Sequence, residues 1–99
     1  DKVLGAGYGI FSGEKTETAV LRFTPERARW VASERWHPMQ KGSSEGDGSY
    51  TLNIPYSDER ELVMEVMRHG PHVEVIGPAS LRQKVADACI QAATLYQKN

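Results

Sequence analysis

From Thr16 to Phe23 the chain alternates in polarity, and the next two residues, Thr24 and Pro25, are of the kind that start a helix. No other feature constrains the fold as much as this junction. Ala19, Leu21 and Phe23 fall on one side and Thr18, Val20 and Arg22 on the other, the period of a half-buried strand. Thr24 supplies an N-cap hydroxyl, Pro25 suits the first helical position, and Glu26 sets negative charge at the positive end of the helix dipole. The helix is expected to run to about Arg35.

The remaining punctuation completes the order. Trp36–Lys41 and Ser49–Tyr56 read as the arms of a hairpin around "GSSEGDG", whose glycines and aspartate suit a reversing loop. Pro38 lacks an amide donor, which assigns the first arm to a sheet edge, while Tyr50, Leu52, Ile54 and Tyr56 give the second a buried face. Ser57 caps a second helix with Asp58 and Glu59 in its first turn and an apolar stripe of Leu62, Val63, Val66 and Met67. Gly70 and Pro71 end it. His72–Ile76 is a short strand, and Gly77 and Pro78 open a long last helix with Leu81, Val85, Ala88, Cys89, Ala92 and Tyr96 on one face.

The order βαββαβ, then α, predicts an α+β fold: a ferredoxin-like antiparallel sheet with helices on one face, plus a long C-terminal helix. The last helix carries too much apolar surface to stand free. It covers part of the open sheet face, packs beside the other helices, or docks on another chain.

Composition narrows the function. With 99 residues and 39% hydrophobic content the chain fits one domain. A net charge of -1 provides no basic field, so any nucleic acid is contacted elsewhere. Cys89 is the one cysteine, which excludes an internal disulfide and a thiolate metal cluster and fits a reducing, cytoplasmic setting. No window approaches the roughly 18 consecutive apolar residues of a membrane helix. The start at Asp1 predicts a piece of a longer protein, with residues 1–15 as a linker and 16–99 as the folded domain.

"GYGIFSG", Gly7 to Gly13, lacks the preceding strand and following helix that a phosphate cradle requires, and reads as that linker's hinge. Tyr8, Ile10 and Phe11 are expected to anchor it against a neighbouring domain or the last helix. His37, His69 and His72 have neither a close histidine pair nor carboxylates at ligand spacing, so no metal is expected. His69 at a helix C-terminus reads as a cation complementing the dipole. Cys89, on an apolar face, reads as a small core residue. No nucleophile, base and oxyanion donor converge in the sequence, so neither catalytic residue nor cofactor is assigned.

Two surfaces remain. Ala28, Val31 and Ala32 form the buried stripe of the first helix, which turns Trp30 outward beside Arg27. Trp and Arg are enriched where proteins grip partners, so this face is an interface candidate unless the last helix or the N-terminal segment covers it. Arg22, His37, Gln40 and His72 are the candidate contacts for a small anionic or nucleotide-like ligand on the open sheet face.

The phrases "AVLRFTPERARWVASERWHPMQ", "DGSYTLNIPYSD" and "ELVMEVMRHGPHVEVIGPASLRQKV" together resemble the C-terminal extension, called WCX, of bacterial WYL-domain transcriptional regulators. Their marks are Arg22-Phe23-x-Pro25, Trp36-His37-Pro38-x-Gln40, Asp47-Gly48, Gly70-Pro71-x-Val73 and Pro78-x-x-Leu81. The likeness runs from about Thr18 to Tyr96, and "GYGIFSG" is similar to the segment that follows the WYL domain. It implies an accessory module assisting homodimerisation and signal transfer. DNA would be bound by a helix-turn-helix domain, and a small-molecule or nucleic-acid effector by the WYL domain. Neither domain's motifs occur here, so none of their functional residues carries over.

Overall fold

The computed structural model describes residues 17–97. In chain order it comprises β1 (Glu17–Phe23), α1 (Pro25–Val31), β2 (Lys41–Ser44), β3 (Tyr50–Tyr56), α2 (Glu59–His69), β4 (Val73–Gly77) and α3 (Ala79–Gln97). A 3-10 turn over Gly70–His72 joins α2 to β4. The strands form one antiparallel sheet in the order β2-β3-β1-β4, the ferredoxin-like arrangement with β1 and β3 at the centre.

Register explains the one-sided core. Leu21 lies opposite Leu52 on β3 and Val75 on β4, Ala19 opposite Ile54, and Phe23 opposite Tyr50 and Val73. Directly paired residues share a face, so apolar rows cross the sheet. Ala28 and Val31 of α1, Leu62 and Val66 of α2 and Leu81 of α3 close over them. On the other face Arg22, Glu74 and Ile76 are exposed. None of the described helices covers that face.

Several boundaries differ from expectation. α1 ends at Val31, because the Ala32 amide closes the last turn on the Ala28 carbonyl, and Ala32 itself is exposed. The N-cap of α2 is Asp58, not Ser57: its carboxylate accepts from the Arg60 amide at 3.1 Å. Gly70 ends α2 at φ 61, a conformation that favours glycine. His72 falls in the 3-10 turn, and β4 begins one residue later.

The hairpin's first arm is the largest correction. Trp36–Gln40 is a loop, held by one side chain: Gln40 Oε1 accepts from the Trp36 amide at 2.6 Å and the His37 amide at 3.0 Å, while its Nε2 donates to the Glu34 carbonyl at 2.9 Å. Amides satisfied in this way need no sheet partner. β2 is instead Lys41–Ser44, the end of the expected arm with the first three residues of the segment expected to turn, and lies at the sheet edge. The turn that follows is tight, with the Asp47 carboxylate accepting from both the amide and the hydroxyl of Ser49. Gly42 is required within β2: a Cβ there would lie 1.8 Å from Tyr50 Oη, because the Tyr50 ring crosses it.

Of the three expectations for the last helix, packing beside its fellows is the one observed. α3 lies on β4 and α2. Arg82 ties it to β4, donating to the Val75 carbonyl at 2.7 Å and the Glu74 carboxylate at 2.9 Å, and Lys84 pairs with Glu59 of α2 at 3.4 Å. Leu81, Val85, Ala88 and Ala92 form its inward seam, and their burial lessens toward the C-terminus.

Candidate functional site

The outer face of α1 is built by the same periodicity that buries Ala28 and Val31. Trp30 is turned outward and is 54% exposed. Beside it the Arg27 guanidinium carbon sits 5.6 Å from the Trp30 ring centroid, in cation–π range. Arg27 also reaches inward, its Nη1 donating to His69 Nδ1 at 3.1 Å and so linking α1 to the last turn of α2.

His69 is the floor of this site. Only 8% exposed, it stacks on Trp36 with ring centroids 5.6 Å apart at 15°, and meets the edge of Phe23 at 5.3 Å. Trp36 in turn packs edge-on against Phe23 and donates its indole N–H to Glu34 at 3.0 Å. The loop clasped by Gln40 therefore carries a tryptophan into the core and a carboxylate to the rim. Arg27, Trp30, Glu34, Arg68 and His69 line a shallow depression of about 270 Å³. Burial, reinforced by the Arg27 charge, lowers the His69 pKa, while Glu65 and Glu34 oppose it. The expected cationic role of His69 at the helix end is thus corrected: the ring accepts a hydrogen bond from a cation.

The four residues proposed as ligand contacts are not gathered. Arg22 projects from the open face opposite Thr51 and Glu74, and lines a cleft of about 260 Å³ with Thr24, Asp47, Ser49 and Glu74. His72 lies beyond Thr24, Nδ1 to Oγ1 at 3.3 Å. His37 is 1% exposed, and its Nδ1 accepts from the Met39 amide at 2.8 Å. Burial lowers its pKa. Gln40 is occupied by the loop clasp, so His37 and Gln40 belong to the connection that feeds the helix-side core rather than to the open face. Of the interface candidates, Arg27 and Trp30 are adjacent as expected; Ile10 and Phe11 lie outside the described residues.

Cys89 is exposed, not a core residue, and its thiol contacts Met67 Sδ at 3.7 Å across the α2–α3 seam. Among the described residues no three His, Cys, Asp or Glu side chains are placed to hold a metal ion, and no helix is long and apolar enough to cross a membrane. Sequence reasoning missed the Arg27–His69 contact. Its only local signal was the arginine three residues before the outward tryptophan.

Comparison with known proteins decides the family. The model of the WCX domain matches residues 15–93. The chain belongs to the WCX domain family. Protein PafC of Mycobacterium tuberculosis, in strains CDC 1551 / Oshkosh and H37Rv, is 30% identical over 89 residues, which cover 89% of this chain and 27% of PafC. The solved structure of proteasome accessory factor B/C (PafBC) of Arthrobacter aurescens superposes with a TM-score of 0.66 at 28% identity, over 88% of this chain and 13% of that one. This WCX domain thus spans about a quarter of the length of the curated relatives it matches.

Proposed function

We propose that this WCX domain is an accessory regulatory module of a cytoplasmic transcriptional regulator, helping two regulator chains associate and relaying effector binding to a DNA-binding domain elsewhere in the chain. Family membership supports the regulatory setting. One observation carries the association: Leu95 continues the four-three spacing of the inward residues 81, 85, 88 and 92 of α3, the spacing of paired helices, yet is left uncovered by the chain. Leu95 is 66% exposed and the neighbouring Tyr96 86%. In this reading residues 1–15 link the module to a WYL domain. DNA is contacted through a helix-turn-helix domain, and the Arg27–Trp30 face, with Ile10 and Phe11, meets a neighbouring domain. An effector shifts such an assembly only by binding one arrangement more tightly than another.

The test is operator binding by an intact regulator carrying this domain, as wild type and as Leu95→Lys, over a protein concentration series. The variant is expected to need more protein for the same occupancy and to reach full occupancy in excess. Superimposable curves would overturn the reading. A second reading, a ligand site on the open sheet face, is favoured by the exposed Arg22 guanidinium at the rim of its cleft. Calorimetric titration with inorganic phosphate and mononucleotides, giving saturable heat that Arg22→Ala removes, would support that reading; no heat would end it.

A further inference from the structure

Arg27 and His69 form a pair whose chemistry fixes a protonation state. A guanidinium has only N–H donors and stays charged throughout the accessible pH range. The 3.1 Å contact from Arg27 Nη1 therefore requires a lone pair on His69 Nδ1. His69 is neutral in this arrangement, with its proton on Nε2, a buried atom that meets no acceptor among the described residues. The ring is stacked on Trp36 and edged by Phe23.

The groups facing it come from each packed element. α1 contributes Arg27, the following loop Glu34, and α2 Glu65 and Arg68, while β1 presents the apolar Phe23. With cations and carboxylates on both sides, burial and the single hydrogen bond hold the balance toward the neutral ring.

We infer that protonation of His69 is a switch for the Arg27–Trp30 face. A second proton has only Nδ1 to occupy, and there it would point at the Arg27 N–H, removing the lone pair that seats the guanidinium. Two cations then face each other in a poorly solvated pocket, and Arg27 must leave. Because the same guanidinium lies over one side of the half-exposed Trp30 ring, its departure bares that side as well. Arg27 covers that side of the indole at neutral pH and above, and leaves it as pH falls through the lowered His69 midpoint. This inference does not rest on the regulatory reading, since it belongs to the α1–α2 junction alone.

A pH titration of the whole chain by nitrogen-15 NMR tests it, reading the His69 imidazole nitrogens and the two indole N–H signals, with Trp30→Phe to assign them. The neutral ring is expected to carry its proton on Nε2, and the Trp30 indole to shift with the His69 midpoint. Arg27→Met should raise that midpoint and leave Trp30 insensitive to pH. A neutral ring protonated on Nδ1, or a Trp30 signal that stays still while His69 titrates, would overturn the switch. An unchanged or lowered midpoint in Arg27→Met would do the same. Should that variant fail to fold, the wild-type tautomer and co-titration decide alone.

Discussion

Replacing Leu95 by lysine separates association from folding. Leu95 is 66% exposed in the single chain, so it contributes little to monomer stability. Covering a whole leucine side chain yields about 1.5–3 kcal/mol, and two-thirds of that is about 1–2 kcal/mol. In a two-fold dimer each residue counts twice, so the contact made by the two Leu95 side chains would lose about 2–4 kcal/mol, a dissociation constant raised roughly thirty-fold to several hundred-fold. Lysine is chosen because a cation in the last turn complements the helix dipole and is a good helix former, so loss of helix cannot mimic loss of contact. Sedimentation equilibrium of the isolated chain reads the constant, and urea denaturation at dilution reads the monomer, expected within about 0.5 kcal/mol of wild type. Unchanged association would refute a Leu95 contact between chains, and a markedly less stable monomer would show that Leu95 is covered within its own chain.

Three further outcomes follow from particular contacts. Gly42→Ala must displace the Tyr50 ring, whose Cζ would lie 2.3 Å from the new Cβ, at a cost of about 1–3 kcal/mol in denaturant unfolding; in a Tyr50→Ala background the added loss should vanish. Gln40→Ala strips the acceptor from the Trp36 and His37 amides and is expected to cost about 2 kcal/mol, with hydrogen exchange accelerated at those two amides. Tyr56, pushed up to about 12 by burial and then by the charges of Glu17 and Glu59, stays protonated in the fold while the unfolded chain ionises near 10. The resulting stability is complete below pH 10 and declines as pH rises toward 12, by about 1 kcal/mol per unit, a slope that Tyr56→Phe should remove.

What was legible in the sequence was whatever a short window encodes. The alternation in β1, the stripe of α2 and the alternating second hairpin arm each bury one face, and periodicity alone says which. The first hairpin arm was illegible for a physical reason. Trp36-His37-Pro38 has strand-like bulk and β2 does not, yet the amides of Trp36 and His37 are taken by a glutamine side chain and the indole is taken by the core. The strand is then left to Lys-Gly-Ser-Ser, paired with β3 where Gly42 leaves room for the Tyr50 ring to cross it. Neither event has a local signature.

The same distinction explains the candidate site. That Trp30 faces outward follows from helical spacing around Ala28 and Val31. That Arg27 is seated on His69 depends on a contact 42 residues apart in the chain, which no window holds. His69 taken alone, at the end of a helix, invites a cation; the aromatic box of Phe23 and Trp36 around it reverses that preference by excluding water, and Arg27 completes the reversal by demanding a lone pair. The outward tryptophan and the inward histidine are therefore two ends of one arginine. A partner that binds the Trp30 face must either leave Arg27 seated or draw it away from His69. In the second case, by linkage, binding and His69 protonation favour each other. A partner whose affinity rises in mild acid, and whose acid preference disappears in Arg27→Met, would show that the arginine couples the two ends; affinity indifferent to pH would mean that the partner leaves the guanidinium where it is.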